Sequence, residues 1–241
     1  LDCLPDGVSK VAFEPAVDFQ EELGTRADVV VPDYFTSTAY QSAMSEKKAN
    51  VVTSLAMFYD LPNPLAFCQD IERILASDGV WVLEMNYLAA MLENGAFDFI
   101  GHEHVGFYLL SSVNKLLLQT GLRVVSVERN GINGGSFRCY IRKAQTNPVG
   151  KSVDYLLWAE TPLRSMEGRE KFRRKMENVT ATTGGWVKEA VSQGKRVYAY
   201  GASTRGLTML QASGLGNKEI TAAVDKNPLK IGKFIEGLDI P

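Results

Sequence analysis

The sequence predicts an α/β protein: a parallel sheet finished by an antiparallel hairpin, then a helical stretch, then the start of a second α/β unit. Three observations carry this. Short β-branched runs alternate with stretches whose apolar residues recur at helical spacing, as in strand–helix–strand units. Leu122–Arg129 and Ser136–Lys143 read as strands joined only by the segment Asn130 to Gly135, too short for a parallel crossover. A fresh strand–glycine–helix pattern opens at Lys195.

Element by element, Val8–Phe13, Asp28–Val31, Asn50–Leu55 and Gly79–Leu83 read as strands. The last three are nearly continuous apolar runs, suited to burial on both faces. Thr36–Lys48 and Pro64–Ala76 read as helices between them, and Ser111–Thr120 as a helix stopped by Gly121. From Thr146 to Gln193 the chain turns charged and helical. Glu160, Arg164, Glu167, Arg169, Glu170, Lys171, Arg173, Arg174, Lys175 and Glu177 there read as a solvated face. Arg196–Tyr200, a Gly201–Gly206 turn, a Leu207–Ala212 helix and a Glu219–Val224 strand ending on Asp225 complete the chain. The expected division is residues 1–145, a linker over 146–193, and a terminal α/β domain over 194–241.

The 241 residues carry 26 Lys+Arg against 28 Asp+Glu, a formal net charge of -2, which argues against broad electrostatic binding to nucleic acid. Cys3, Cys68 and Cys139 lie far apart without metal-ligand spacing, so no zinc site or disulfide framework is expected. No run is long and apolar enough for a membrane span and no secretory leader is evident, so a cytoplasmic setting is expected.

Four places can carry chemistry. Glu14 follows the first strand at its C-terminal end, where open α/β sheets bind ligands and a carboxylate can accept from both ribose hydroxyls. The only two histidines, His102 and His104, flank Glu103. A histidine suits general-base work near neutral pH, and a neighbouring carboxylate can fix its tautomer. The turn Asn133-Gly134-Gly135-Ser136 can bring bare backbone N–H groups to a ligand, or merely satisfy turn geometry. Gly201 to Gly206 opens a helix through glycine and offers donors for phosphate, with Arg205 able to add a bidentate contact. No third ligand turns His102 and His104 into a metal site.

Taken together, Ser54-Leu-Ala-Met-Phe-Tyr-Asp-Leu-Pro-Asn-Pro64, Asp78-Gly-Val-Trp-Val-Leu-Glu84, His102-Glu-His104, Asn133-Gly-Gly-Ser136 and Gly201-Ala-Ser-Thr-Arg-Gly206 resemble the sugar C-methyltransferases. The resemblance runs from about Val8 to Pro241. It implies a Rossmann-like class I methyltransferase sheet ending in an antiparallel hairpin, followed by a helical linker and a partial second Rossmann-like domain. It also implies S-adenosylmethionine as methyl donor and, as substrate, a 4-keto deoxysugar linked to a nucleotide of dTDP type.

Carried over position by position, Glu14 would bind the donor's ribose, Tyr34 and Phe35 would lie near the adenine, and Thr53, Ser54 and Leu55 near the methionine. His104, supported by Glu103 with His102 beside it, would be the base. Asn133, Gly134, Gly135, Ser136, Gly201, Ser203 and Arg205 would meet the sugar nucleotide. Two positions depart from the family pattern: Gly101 stands where a tyrosine is common, and Arg205 where lysine is. The resemblance further implies that the first, central strand and its glycine loop precede Leu1, with Leu1–Leu4 the tail of the next helix. The missing strand would leave a gap between Val8–Phe13 and Asn50–Leu55. A non-catalytic methyltransferase-like module and a dinucleotide-dependent oxidoreductase remain alternatives.

Overall fold

The computed structural model describes residue 5, residues 7–145 and residues 148–241, with the side chain of residue 164 left out. The expected helix tail at Leu1–Leu4, Cys3, and the linker's first two residues lie outside them. The chain forms two compact units that interleave along the sequence, whereas the sequence suggests three successive segments. One unit holds Leu1–Glu84, Ser112–Glu128 and Arg138–Asp154; the other holds Met85–Ser111, Arg129–Phe137 and Tyr155–Pro241.

The first unit begins with β1 (Val11–Phe13), α1 (Val17–Gly24) and β2 (Val29–Val31), a parallel pair in register Val11↔Val29 to Phe13↔Val31. Helix α1 carries no start signal in the sequence because its N-cap is Ala16, which offers no side-chain acceptor. Then come α2 (Ser37–Met44), capped by Thr36, β3 (Ala49–Leu55), α3 (Pro64–Ile74), capped by Asn63, and β4 (Leu75–Asn86). β3 and β4 pair in parallel, with Val51↔Val80 and Leu55↔Glu84 in register.

The sequence places the start of β4 at Gly79, but the strand begins at Leu75. A register shift between Ala49 and Val51 absorbs the extra residues. Gly79 sits inside this irregularity, where a Cβ would come within 2.9 Å of both the Ala49 carbonyl oxygen and Leu75 Cδ1. Gly79, read as the first residue of the strand, thus sits at a distortion within it.

An aromatic series links these elements: Phe13 meets Phe35 at 5.2 Å, Phe35 meets Phe67 at 5.2 Å, and Phe67 meets Trp81 at 5.9 Å. Trp81, Phe58, Cys68 and Ile71 are fully buried. Burial pushes the Cys68 thiol up to about 12. Among the described residues β1 pairs only with β2, and β3 pairs within its sheet only with β4. The two sheets therefore share no ladder, and no strand among the described residues bridges β1 and β3.

After β4 the chain gives α4 (Leu88–Asn94), α5 (Leu110–Leu117), β5 (Leu122–Asn130) and β6 (Ser136–Lys143), and the larger sheet has the order β3-β4-β6-β5. A 3-10 turn carries α5 to Thr120, and Gly121 stops it at φ 75°, as the sequence predicts.

The charged stretch forms α6 (Lys151–Ala159) and α7 (Met166–Ser192). Arg173 pairs with Glu170 and Glu177, and Arg174 with Glu170, all along the exposed helix surface, and these pairs hold Glu170 down at about 2. Glu160 is the exception to the solvated reading. It is fully buried and accepts from the backbone N–H of Leu110 at 2.5 Å, from that of Ser111 at 3.0 Å, and from the Tyr87 hydroxyl at 2.9 Å. A carboxylate at the N-terminus of α5 satisfies donors the helix cannot.

The last elements are β7 (Val197–Tyr200), α8 (Thr204–Ala212) and β8 (Ile220–Val224), with β7 parallel to β8. Helix α8 starts three residues before the sequence places it, because Ser203 is its N-cap and accepts from the Gly206 N–H. No helix among the described residues is long and apolar enough to cross a membrane.

Candidate functional site

In the first unit Glu14 and the pair Tyr34 and Phe35 follow the C-terminal ends of β1 and β2, and Thr53, Ser54 and Leu55 are the last three residues of β3. Glu14 continues β1, its N–H bonding the Val31 carbonyl. Its carboxylate accepts from the Ala16 N–H at 2.8 Å and lines a hollow of about 330 Å³ with Phe19, Glu22, Leu23 and Arg26. Tyr34 is 73% exposed, whereas Phe35 is held between Phe13 and Phe67. Thr53 and Leu55 are exposed. Ser54 is buried, and its hydroxyl accepts from the Trp81 indole at 3.1 Å. Directly after β3, Ala56 has φ 54° and donates its N–H to the Glu84 carbonyl. A left-handed alanine at a strand end is a strained conformation of the kind that gathers at ligand sites. Behind it Glu84 pairs with Arg138 at 2.7 Å, and Arg138 in turn with Glu128 at 3.0 Å.

The second unit contains the histidines and the hairpin turn. A 3-10 turn over Phe97–Phe99 leads into the histidine segment, where His104 is half-buried. His104 stacks on Phe99, with centroids 4.3 Å apart, and its Nδ1 lies 2.6 Å from the Phe99 carbonyl. A carbonyl only accepts, so this bond places the proton on Nδ1 and leaves the lone pair of the neutral ring on Nε2. The orienting acceptor is thus a backbone carbonyl rather than the expected Glu103.

Glu103 instead lies 3.2 Å from Nδ1 of His102. Its own backbone N–H, and then the neighbouring imidazoles of His102 and His104, hold the carboxyl below its ordinary value. A Cβ on Gly101 would come within 2.6 Å of the Glu103 carboxylate, so the glycine that departs from the family pattern makes room for this side chain.

The turn between β5 and β6 is fastened by two asparagines that no motif in the sequence singles out. Asn94 Nδ2 donates to the Gly134 carbonyl at 2.8 Å, and Asn86 Nδ2 reaches the carbonyls of Asn133 at 3.3 Å and Gly135 at 3.4 Å. Gly135, at φ 129°, has no room for a Cβ, which would fall 2.4 Å from that of Ala90. The Ser136 hydroxyl turns inward to the Ile132 carbonyl. Asn86 is 5% exposed, and its Oδ1 finds no partner among the described residues. A buried acceptor left open at the end of β4 is a place for a ligand donor. The only sequence signal for it is a polar residue closing an apolar strand.

The Gly201–Gly206 segment spends its donors internally. The Ala202 N–H goes to Asp225 at 2.9 Å, the Gly206 N–H goes to Ser203, and the Ala202 carbonyl accepts from Lys230. Arg205 is held by Asp98 at 2.6 Å. The expected phosphate cradle therefore has its groups paired within the protein. Among the described residues no group of three His, Cys, Asp or Glu is placed to hold a metal ion.

The methyltransferase-domain family matches residues 4–127, and the chain belongs to that family. A second family, described as the C-methyltransferase C-terminal domain, matches residues 131–241. More particularly, the chain is 32% identical over 239 residues to the C-methyltransferase NovU of Streptomyces niveus, an alignment covering 98% of this chain and 57% of that protein. The chain thus spans little more than half the length of this relative.

Among solved structures it is similar to the mitomycin 7-O-methyltransferase MmcR, at a TM-score of 0.44 and 18% identity over 57% of this chain and 42% of that one. The N-methyltransferase NodS of Bradyrhizobium japonicum gives 0.40 and 12% identity, over 57% and 72%. Scores this low add nothing about the present chain.

Proposed function

We propose that the chain is part of an S-adenosylmethionine-dependent C-methyltransferase acting beside the keto group of a nucleotide-linked 4-keto deoxysugar, with His104 as the base. The observation that supports this most directly is the 2.6 Å bond from His104 to the Phe99 carbonyl, which makes Nε2 the basic nitrogen. Near neutral pH such a nitrogen can take a proton from a carbon acidified by the adjacent ketone.

The donor's binding residues fit in part. Glu14, at a strand end beside an open hollow, suits the two ribose hydroxyls, and Tyr34, Thr53 and Leu55 are accessible. Phe35 and Ser54 contribute by shaping that edge, since their ring and hydroxyl are engaged within the fold. S-adenosylmethionine, when bound, supplies a methyl group on a sulfonium that departs readily. The chain's own part is to hold His104 in one tautomer, to aim Nε2 at the acidic C–H, and to place donors near the developing enolate. Asn86 and the Asn133–Ser136 turn are the groups proposed to face the sugar.

An oxidoreductase reading is less well supported, because Asp225, the carboxylate a dinucleotide ribose would need, already accepts from Ala202, Asn227 and Lys230. In the full-length protein, His104→Ala is expected to lower turnover about 10²–10⁴-fold while leaving affinity for the methyl donor intact. Calorimetry and single-turnover assays check this, and near-normal turnover overturns the assignment.

A further inference from the structure

The start of α8 grips the histidine segment at several points. Nε and Nη2 of Arg205 lie 2.8 and 2.6 Å from one carboxylate oxygen of Asp98. The guanidinium carbon is also 5.6 Å from the centroid of the Phe99 ring. One turn along the helix, the Thr208 hydroxyl lies 3.1 Å from the Thr204 carbonyl of its own helix and 3.4 Å from the Ile100 carbonyl. Phe99, held in this way, is the residue His104 depends on twice, for a ring to stack on and for a carbonyl to receive Nδ1–H.

We propose that Arg205 is a positioning residue: by fixing Asp98 and the Phe99 ring it holds the Phe99 carbonyl against Nδ1 of His104, and so keeps Nε2 as the lone-pair nitrogen. The functional meaning rests on His104 being the base; the geometry does not. Three arguments support the assignment. In solution a histidine ring prefers its proton on Nε2, so the opposite tautomer persists only where an acceptor is held at Nδ1. The Phe99 carbonyl lies in a turn of a single 3-10 unit and also accepts from the Gly101 N–H at 3.0 Å. Local hydrogen bonding alone is a weak restraint on so short a turn. Finally, a guanidinium can meet a carboxylate with its fork and a ring with its face, a combination that an ammonium does not reproduce.

The test reads the imidazole nitrogens directly. Long-range ¹⁵N–¹H spectra of the 241-residue chain contain two histidines, assigned by comparison with His102→Gln. Wild type is expected to show His104 protonated on Nδ1, with Nε2 at the position of a bare nitrogen. Arg205→Ala is expected to move both nitrogens toward averaged values, and Arg205→Lys to move them less.

In the full-length protein Arg205→Ala should lower kcat roughly 10–100-fold with KM for both substrates little changed, the pattern of a misplaced reacting group. Unmoved imidazole signals in Arg205→Ala, whether with a lower Tm or with a raised KM for the sugar nucleotide, make Arg205 a structural or a phosphate-binding residue and overturn the proposal. If Arg205→Ala fails to fold, Arg205→Lys decides: signals identical to wild type refute the positioning role. Normal turnover in His104→Ala, alongside a tautomer shift in the Arg205 variants, would remove the base and leave the positioning contact standing.

Discussion

The chain contains two strand–helix–strand crossovers of similar plan, β1–α1–β2 and β7–α8–β8, each a two-stranded parallel pair with a carboxylate after one of its strands. They differ in how that carboxylate is used. Glu14, after β1, accepts from one backbone N–H and borders an open hollow. Asp225, after β8, accepts from two backbone N–H groups and from the Lys230 ammonium, which together hold its carboxyl well below the ordinary carboxylate range. An acid at a strand end is therefore a candidate ligand only in proportion to the hydrogen-bonding capacity it has left. Both carboxylates border a hollow, of about 330 Å³ at Glu14 and about 550 Å³ at Asp225, so the contrast lies in the acceptor capacity each carboxylate keeps and not in the space beside it.

Exchanging the charges sharpens this contrast. Glu14→Gln in the full-length protein is expected to weaken methyl-donor binding about 10–100-fold, the scale of hydrogen bonds to a charged group, with Tm nearly unchanged. Calorimetry against Asp225→Asn checks it, and a larger affinity loss in the Asp225 variant would reverse the comparison.

Asp225→Asn is expected instead to lower Tm without affecting donor affinity. The sign with pH follows from the depressed carboxyl. Its stabilisation is complete above the unfolded value of about 3.9 and is lost as pH falls toward the lower folded value. Thermal melts should show a constant gap between wild type and Asp225→Asn down to about pH 4, narrowing below it. A gap that widened in acid would contradict the hydrogen-bond pattern.

The smallest effect is expected at Gly201, whose φ of 97° disfavours any side chain although a Cβ there would meet nothing within 4 Å. Gly201→Ala should cost about 1–2 kcal/mol of backbone strain, with donor affinity unchanged. Urea unfolding measures it.

The sequence shows the repeating apolar runs, the short hairpin loop and the Gly121 stop because each is decided within a few residues. Ser203 as a cap is equally local, but the glycines on either side look like turn residues and hide the helix start. Other features depend on partners far along the chain. Glu160 is indistinguishable in sequence from the solvated carboxylates that follow it, and only the distant N-terminus of α5 makes it buried. Asn86 shows the same limit at the candidate site. Its open Oδ1 becomes visible only once the hairpin carbonyls have engaged the other half of the amide. His104 is legible as a candidate base from its residue type, but its orienting partner is not, since a backbone carbonyl leaves no trace in sequence.

The buried Glu160 carboxylate also sets an order of events during synthesis. It lies 73 residues after Tyr87 and 50 after Leu110, the groups it satisfies. At ribosomal rates of about 5–20 residues per second, the Tyr87 hydroxyl is made roughly 4–15 s before its acceptor exists. For the last 50 of those residues, roughly 2.5–10 s, the first turn of α5 exists with no carboxylate to close it, so the nascent chain cannot complete this part of its core until the segment after β6 has been translated. A chain released before residue 160 would carry the whole histidine segment and still lack the side chain that secures the helix following it.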